Sequence, residues 1–293
     1  MIFCCFLRFA MYLCAMICHP NVKINLGLHV LRRRPDGFHD LETLFVPYPA
    51  ICDCLEVISG DDYSRTLASL KERYGTLTQA ITPDGKLMIT LARKEGVDWD
   101  PLKDLTAKAY ALLAADYDLP PMKIYLEKRS PVGAGLGGGS ADAAFALRAM
   151  AELAGLTLDN AALAAYAARL GSDCAFFVYN QPMFGRGRGE VLEPFSIDLG
   201  QYRLEVVVPE GISVSTAQAY RGIAPCIPEK PLQDVLRQDI STWKTDLKND
   251  FEQTVFAAHP ALAQVKAALY ESGALYAAMS GSGSACFGIF PKE

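Results

Sequence analysis

The sequence predicts an α+β protein of two domains, and three observations lead to that prediction. The chain has 293 residues, which corresponds to two domains at about 150 residues each. Hydrophobic residues make up 51% of the chain and charged residues 21%, which is enough apolar material for a sizeable core. Predicted strands and helices alternate irregularly, without the regular strand–helix–strand repeat of a parallel α/β fold.

The strands are predicted from apolar runs that lie between turn-forming residues. In the first, residues 21–30, Val22, Ile24 and Leu26 alternate with polar or small residues, and an Arg-Pro-Asp-Gly turn follows it. Further strands are expected at residues 41–46, 54–58, 86–91, 122–126, 203–209, 275–279 and 285–290, with a hairpin region at 184–192.

The helices are predicted from segments rich in small and apolar residues. They are expected at residues 105–115, 140–150, 160–170, 240–256 and 260–272. Gly171 ends the third of these helices, as glycine commonly does after a last helical turn. Residues 225–231, which begin and end with proline, are the best linker-like stretch.

Charge and cysteine usage exclude several classes of protein. Lys and Arg number 28 and Asp and Glu 33, for a formal net charge of −5, so no broad polyanion-binding surface and no nucleic-acid partner is expected. Cys52 and Cys54 are too close for an ordinary zinc pair. The cysteines beyond residue 18 are otherwise scattered singly, as in a reducing cytosol, and we expect a cytoplasmic protein without a membrane contact.

The first eighteen residues form an apolar segment with four cysteines, and three interpretations compete for it. An export signal needs a basic start, but Arg8 interrupts the apolar run instead of preceding it. The run is also too short and broken for a membrane span. We favour a third interpretation, in which translation starts at Met11 or Met16 and residues 1–15 are an extension without a functional role.

The most informative stretch is a glycine-rich segment at residues 131–141. Glycines let backbone N–H groups converge on an anion, and a helix that starts directly afterwards adds its positive end, so phosphate binding is predicted. A flexible turn is the simpler alternative. A P-loop would need Lys after its last glycine, and a dinucleotide fold would need a second strand that residues after Met150 do not provide. The predicted phosphate-binding residues are Pro131, Val132, Gly133, Ala134, Gly135, Leu136, Gly137, Gly138, Gly139, Ser140 and Ala141.

Three segments together resemble the motifs of the galactokinase, homoserine kinase, mevalonate kinase and phosphomevalonate kinase (GHMP) superfamily. They are residues 20–28 (PNVKINLGL), 131–142 (PVGAGLGGGSAD) and 279–288 (MSGSGSACFG), in the superfamily's order. The resemblance implies a two-domain fold with a cleft between the domains. Residues 16–185 would resemble the ribosomal protein S5 domain 2-like fold and bind ATP, and residues 186–293 would form a ferredoxin-like α/β sandwich on the substrate side.

Three more segments narrow the resemblance to one branch of the superfamily. Residues 34–45 (RPDGFHDLETLF), 170–177 (LGSDCAFF) and 185–190 (GRGRGE) are similar to the branch that phosphorylates a cytidine-diphosphate methylerythritol, in the non-mevalonate route to isoprenoid precursors. This implies transfer from ATP, with Mg²⁺, to the 2-hydroxyl of that alcohol by a monomer or weak homodimer. The alternatives are a sister kinase acting on homoserine, mevalonate or a sugar, and a non-catalytic ligand sensor on the same fold.

The resemblance also assigns a catalytic pair. Asp173 would be the base that takes the proton of the acceptor hydroxyl, and Lys23 would be its charged neighbour, which stabilises the aspartate and the developing alkoxide together. Without the resemblance, Asp173 would be interpreted as a helix cap and Lys23 as a partner in a strand salt bridge.

The acceptor side is predicted from the same resemblance. Phe38 and His39 match the branch's cytosine-binding pair, an aromatic face and a group that hydrogen-bonds the edge of the base. Tyr220 matches a second stacking aromatic, so the base would lie in a sandwich. Thr216 and Asn25 are expected at the methylerythritol or diphosphate groups. Three residues carry secondary expectations: Ser140 as a ligand of Mg²⁺ or a phosphate oxygen, and Gly281 and Gly283 as backbone support or a simple tight turn. Residues 249–252 (NDFE) also match the family, and we expect them to start a helix and to contribute to packing.

Overall fold

The structure is a computed structural model that describes residues 14–292. Twelve strands lie in this part of the chain: β1 Ala15–Cys18, β2 Asn21–Arg33, β3 His39–Cys52, β4 Cys54–Ser59, β5 Thr78–Ile81, β6 Leu87–Arg93, β7 Met122–Lys128, β8 Met183–Arg186, β9 Val191–Pro194, β10 Tyr202–Val207, β11 Tyr276–Met279 and β12 Cys286–Pro291. Ten α-helices accompany them: α1 Leu67–Tyr74, α2 Leu105–Asp116, α3 Gly138–Leu153, α4 Asn160–Leu170, α5 Cys174–Tyr179, α6 Thr216–Tyr220, α7 Leu232–Leu236, α8 Ile240–Asp246, α9 Phe251–Ala258 and α10 Pro260–Glu271.

The strands form three separate sheets. Their orders are β1-β4-β7-β6-β5, β2-β3-β8-β9 and β10-β12-β11. The β6–β7 ladder is parallel, and the other ladders between these strands are antiparallel. Runs of adjacent antiparallel strands with helices grouped beside them are characteristic of α+β proteins, so the predicted fold class is confirmed.

Strand β2 lies between two hydrophobic cores. The first core packs α2, α3, α4 and α5 against the five-stranded sheet, with Leu87, Ile89 and Leu91 of β6 fully buried. The second packs β2 and β3 against the C-terminal sheet, α7 and α8, and includes Val22 and Ile24. Because side chains alternate along a strand, the polar residues of β2 point away from that second core. Lys23 and Asn25 of this strand therefore line a cavity together with residues from both the N-terminal and the C-terminal parts of the chain.

The local predictions agree with the structure where the pattern was regular. Helix α4 spans residues 160–170 as predicted, and β2, β4, β6 and β7 lie within about three residues of their expected bounds. The helical segment expected at residues 240–256 consists of two helices, α8 and α9, with a break at residues 247–250. At the break, Asn249 turns its side chain onto the carbonyls of Met279 and Gly281, a tertiary contact that a local pattern does not reveal.

Two predicted boundaries fall inside structural elements. The boundary at residue 185 cuts β8, which pairs with β3 and continues through β9 in the same sheet, whereas the C-terminal sheet begins at Tyr202. Most of the predicted N-terminal extension, residues 1–13, lies outside the described residues. Its last residue, Ala15, is buried and pairs with Ile58 in β1. Within residues 14–292, no helix combines the length and apolar character that a membrane crossing requires.

Candidate active site

The glycine-rich segment connects β7 to α3 and leaves the start of the helix open. Gly133, Gly135 and Gly137 have φ angles of +73°, +76° and +72°, the left-handed region that favours glycine. Helix α3 begins at Gly138, and no side chain caps it. The N–H groups of its first turn are therefore available to an anion, and the helix dipole favours negative charge at the same place.

The third motif packs directly behind this loop. A Cβ atom on Gly135 would overlap the carbonyl oxygen of Ser280 and lie 2.9 Å from the nitrogen of Gly283. The hydroxyl of Ser280 donates to the Gly135 carbonyl at 3.2 Å, and the Ala285 amide donates to Ala134 at 3.0 Å. The two glycine-rich loops are therefore in direct contact. A tight turn at residues 280–283 that served only to reverse the chain would not need these contacts.

Lys23 and Asp173 meet at the mouth of the glycine loop. The Lys23 ammonium is buried and donates to the Asn25 amide oxygen at 2.6 Å and to the Gly135 carbonyl at 2.9 Å. It lies 3.3 Å from the Asp173 carboxylate, whose side chain is 32% exposed. Asp173 precedes α5 but makes no capping hydrogen bond with its side chain, so the helix-cap interpretation is wrong. A fixed cation beside a partly exposed carboxylate is suited to proton transfer.

A cavity of about 310 Å³ brings the predicted donor and acceptor residues together. Its lining includes the catalytic pair, three glycines of the loop, and Asn25, Ser140, Thr216 and Tyr220. A larger cavity of about 640 Å³ lies against α9, but its lining mixes both charges and contains none of the predicted site residues. The chemistry of the linings, not their size, makes the smaller cavity the candidate active site.

Of the three predicted base-binding residues, Tyr220 lines this cavity, and His39 packs on Tyr220. The rings of His39 and Tyr220 stack on each other with centroids 4.8 Å apart, and the Phe38 side chain is half exposed nearby in the chain. A base stacked between two rings needs about 7 Å between those rings, which is twice the contact distance of carbon atoms. The His39 and Tyr220 rings are closer than this, so His39 must move away before a base can stack on the same face of Tyr220. Burial raises the pKa of Tyr220 to about 12, and the charge of Asp173 adds to this, so Tyr220 is a neutral phenol.

The two remaining acceptor-side residues are held by neighbouring side chains. Asn25 donates to the Thr43 hydroxyl at 3.0 Å while its oxygen accepts from Lys23, so it orients the lysine as well as lining the cavity. Thr216 lies 3.1 Å from the Ser282 hydroxyl, oxygen to oxygen, at the third motif. Their roles toward a substrate stay predictions.

Comparison with known proteins gives a consistent result across the chain. The family profiles described as GHMP kinases N terminal domain and GHMP kinases C terminal match residues 104–181 and 232–293. A 4-diphosphocytidyl-2-C-methyl-D-erythritol kinase of Parabacteroides distasonis is 44% identical over 277 residues, covering 94% of this chain and 92% of the relative. One of Bacteroides fragilis is 43% identical over 279 residues, with coverages of 95% and 93%.

The chain belongs to the 4-diphosphocytidyl-2-C-methyl-D-erythritol kinase family.

Solved structures agree with this membership. A crystal structure of a 4-(cytidine 5'-diphospho)-2C-methyl-D-erythritol kinase matches with a TM-score of 0.72 at 31% identity, over 94% of this chain and 90% of that one. A homoserine kinase from Cytophaga hutchinsonii matches with a TM-score of 0.63 at 16% identity, over 93% and 85%, and shows the shared fold alone. The family resemblance predicted from the sequence is confirmed, and the protein is a kinase.

Asn249 is a residue of this kinase whose role the sequence did not reveal. It was expected to start and pack a helix, and its oxygen does accept the Phe251 amide at 3.0 Å. Its amide also donates to the carbonyls of Met279 and Gly281, at 2.7 and 2.8 Å. Asn249 therefore holds the third motif against the glycine loop. The match of residues 249–252 to the family was the signal that could have found it.

A buried ionic cluster next to the glycine-rich segment was also not predicted from the sequence. The Lys128 ammonium contacts the carboxylates of Asp53 and Asp142 and donates to the Ser130 hydroxyl at 3.0 Å. Gly138 packs onto the same hydroxyl, where any side chain would overlap it. The cluster connects the residue between β3 and β4, and strand β7, to the first turns of α3.

Asp142 should make a contribution to the stability of the kinase that decreases as the pH rises. Burial raises its pKa well above the ordinary 3.8, more than Lys128 lowers it, and its Oδ1 atom has no hydrogen-bond partner in the described structure. The folded protein therefore retains this proton at a pH where the unfolded chain releases it, so stability from this group falls as pH rises. Relative to wild type, the Tm of Asp142→Asn should increase between about pH 4 and pH 8.

The exposed Asp118 serves as the control for this pH dependence. Its side chain is 98% exposed, so Asp118→Asn should show a Tm difference from wild type that stays flat over the same pH range. Thermal unfolding at several pH values measures both variants. A pH-independent Tm difference for Asp142→Asn would show that Asp142 is ionised in the folded protein.

Proposed function

We propose that the protein transfers the γ-phosphoryl group of ATP to the 2-hydroxyl of 4-diphosphocytidyl-2-C-methyl-D-erythritol. The observation that carries the proposal is the Lys23–Asp173 pair, 3.3 Å apart, in one cavity with the glycine loop. Family membership supplies the substrate, and the cavity supplies the groups that this reaction needs.

The donor side of the reaction requires a cradle for the phosphates of ATP. The uncapped N-terminus of α3 and the left-handed glycines before it offer backbone N–H groups to these phosphates. The buried Lys23 ammonium adds a fixed positive charge beside Gly135, where charge on the transferring group needs neutralising.

The acceptor side requires a base and an oriented hydroxyl. In the proposed step, Asp173 accepts the proton as the O–H bond of the 2-hydroxyl breaks, the oxygen forms a bond to the γ-phosphorus, and the bond to the ADP oxygen breaks. Lys23 stabilises the negative charge that passes from the carboxylate to the alkoxide. Phe38, His39 and Tyr220 would recognise the cytosine, and Asn25 and Thr216 the methylerythritol or diphosphate groups.

Mg²⁺ fits the residues at the loop as a partner of ATP, not as a resident metal of a protein cage. Among residues 14–292 no cluster of three or more His, Cys, Asp and Glu could hold a metal. The Ser140 hydroxyl lines the cavity and is of the oxygen-ligand type that Mg²⁺ takes along with phosphates and waters. Bound there, Mg²⁺ would neutralise charge on the phosphate oxygens. A cytoplasmic location and a monomer or weak homodimer stay predictions.

A substrate panel tests the proposal. ADP release would be followed with 4-diphosphocytidyl-2-C-methyl-D-erythritol, homoserine, mevalonate and galactose as acceptors, and without an acceptor. We expect ADP release with the cytidine compound as acceptor and with none of the other acceptors. Turnover with one of the other alcohols would indicate a sister kinase, and binding of the cytidine compound without ADP release would indicate a ligand sensor.

A further inference from the structure

The loop between β8 and β9, residues 187–190, carries a family-like motif that the proposed reaction does not use. Gly187 and Gly189 have φ angles of +70° and +107°, so the loop turns tightly on both sides of Arg188. The Glu190 carboxylate folds under the loop and accepts the Arg188 backbone amide at 2.5 Å. This geometry presents the Arg188 side chain outward from a fixed backbone.

The loop is attached to the turn that carries the predicted base-binding residues. The Leu41 amide donates to the Gly187 carbonyl at 2.7 Å, two residues after His39. The turn itself is closed by a bond from the Arg34 amide to the Phe38 carbonyl at 2.8 Å. Arg188 and Phe38 are therefore held at a fixed distance by their backbones.

The guanidinium of Arg188 lies over the ring of Phe38, 4.8 Å from its centroid. Its ion pair with Glu190 is long, at 3.7 Å, since the other oxygen of that carboxylate binds the loop backbone. The Phe38 ring is still 52% exposed, so the cation leaves ring surface open to a ligand. A cation on one face of an aromatic ring restrains the ring and favours stacking of a planar group on the other.

Arg186, two residues earlier, also makes a cation–π contact, but with a residue of its own hairpin. Its guanidinium lies 5.0 Å from the centroid of Phe184, a fully buried residue of the second core, and pairs with Glu193 on β9 at 2.7 Å. Both of its partners belong to the hairpin itself. Of the two arginines, Arg188 is the one directed at the base-binding turn.

We propose that Arg188 is a positioning residue for the cytidine-diphosphate substrate, acting through the ring of Phe38. The inference rests on the proposed function, because it concerns the same acceptor site. Arg188 holds the ring so that its open surface stacks on the pyrimidine, and it places a positive charge near a ligand that carries a diphosphate.

Steady-state kinetics of Arg188→Met test this role. The variant keeps an unbranched, flexible side chain and removes its charge, so KM for the cytidine substrate should rise about three- to tenfold. Values of kcat and of KM for ATP should stay at the wild-type level, because Arg188 lies outside the phosphate loop. Arg188→Lys should recover part of the loss, and Arg186→Met should leave KM for the cytidine substrate unchanged.

A double-mutant cycle with Phe38→Ala decides whether Arg188 acts through the ring. If it does, Arg188→Met should change KM little once Phe38 is absent. Additive effects, or a wild-type KM in Arg188→Met, would overturn the proposal. If the wild-type protein does not turn over the cytidine substrate at all, the proposed function fails first, and binding of cytidine diphosphate to wild type and Arg188→Met then tests the positioning role separately.

Discussion

Replacing Asp173 with asparagine should lower kcat by about 10²–10⁴-fold, the range that a general base contributes. The Asp173 carboxylate lies 3.3 Å from Lys23 and caps no helix, so the change removes the proton acceptor without removing a structural hydrogen bond. KM for ATP should stay within about twofold of wild type, because the phosphates bind at backbone amides of the glycine loop. Steady-state kinetics with both substrates measure this.

Asp159 provides the matched control for the loss of this carboxylate. It also precedes a helix, but its carboxylate caps α4 by accepting the Ala162 amide at 2.8 Å. Asp159→Asn should therefore retain wild-type kcat, since asparagine caps helices about as well. Near-normal turnover in Asp173→Asn would exclude Asp173 as the base.

Gly135→Ala should damage the phosphate loop far more than Gly133→Ala. Both glycines have nearly the same left-handed φ, +76° and +73°, so the backbone strain of about 1–2 kcal/mol is common to the two variants. Only at Gly135 does the new methyl overlap the backbone of residues 280–283, whereas at Gly133 it meets open space. Overpacking of this kind adds about 1–3 kcal/mol, and the loop must shift to relieve it.

The expected result is a rise in KM for ATP of about tenfold or more in Gly135→Ala, since 1.4 kcal/mol corresponds to a factor of ten. Gly133→Ala should show a smaller rise, and a smaller loss of Tm. Kinetics and thermal unfolding of the two variants measure these differences. Equal effects would mean that the contact between the two glycine-rich loops does not position the phosphates.

The sequence alone was sufficient to predict an element where residues within that short segment determine its structure. Helix α4 has an N-cap aspartate before residue 160 and a glycine at 171, and the structure has the predicted bounds. Strand β2 alternates, and the glycine run before α3 left few alternatives to an anion-binding loop. From the residues alone, only this loop was assigned a function, and the identities of the acceptor-side residues came from the family resemblance.

Tertiary structure decided every contact between distant parts of the chain. The Lys23–Asp173 pair, the contact of Gly135 with the third motif, and the ring pairs at His39 and Phe38 all join segments that are remote in sequence. The helical segment at residues 240–256 is likewise divided where the Asn249 side chain donates hydrogen bonds to the distant carbonyls of Met279 and Gly281.

The physical reason for this division is the range of the forces involved. Propensity, capping and turn geometry act within a few residues, so the sequence by itself predicted an α+β chain with an anion-binding loop at a helix start. Which side chains then converge on that loop depends on how β2, α5 and the residues before β12 pack together. Only the tertiary structure placed a buried lysine and a partly exposed aspartate 3.3 Å apart beside that loop.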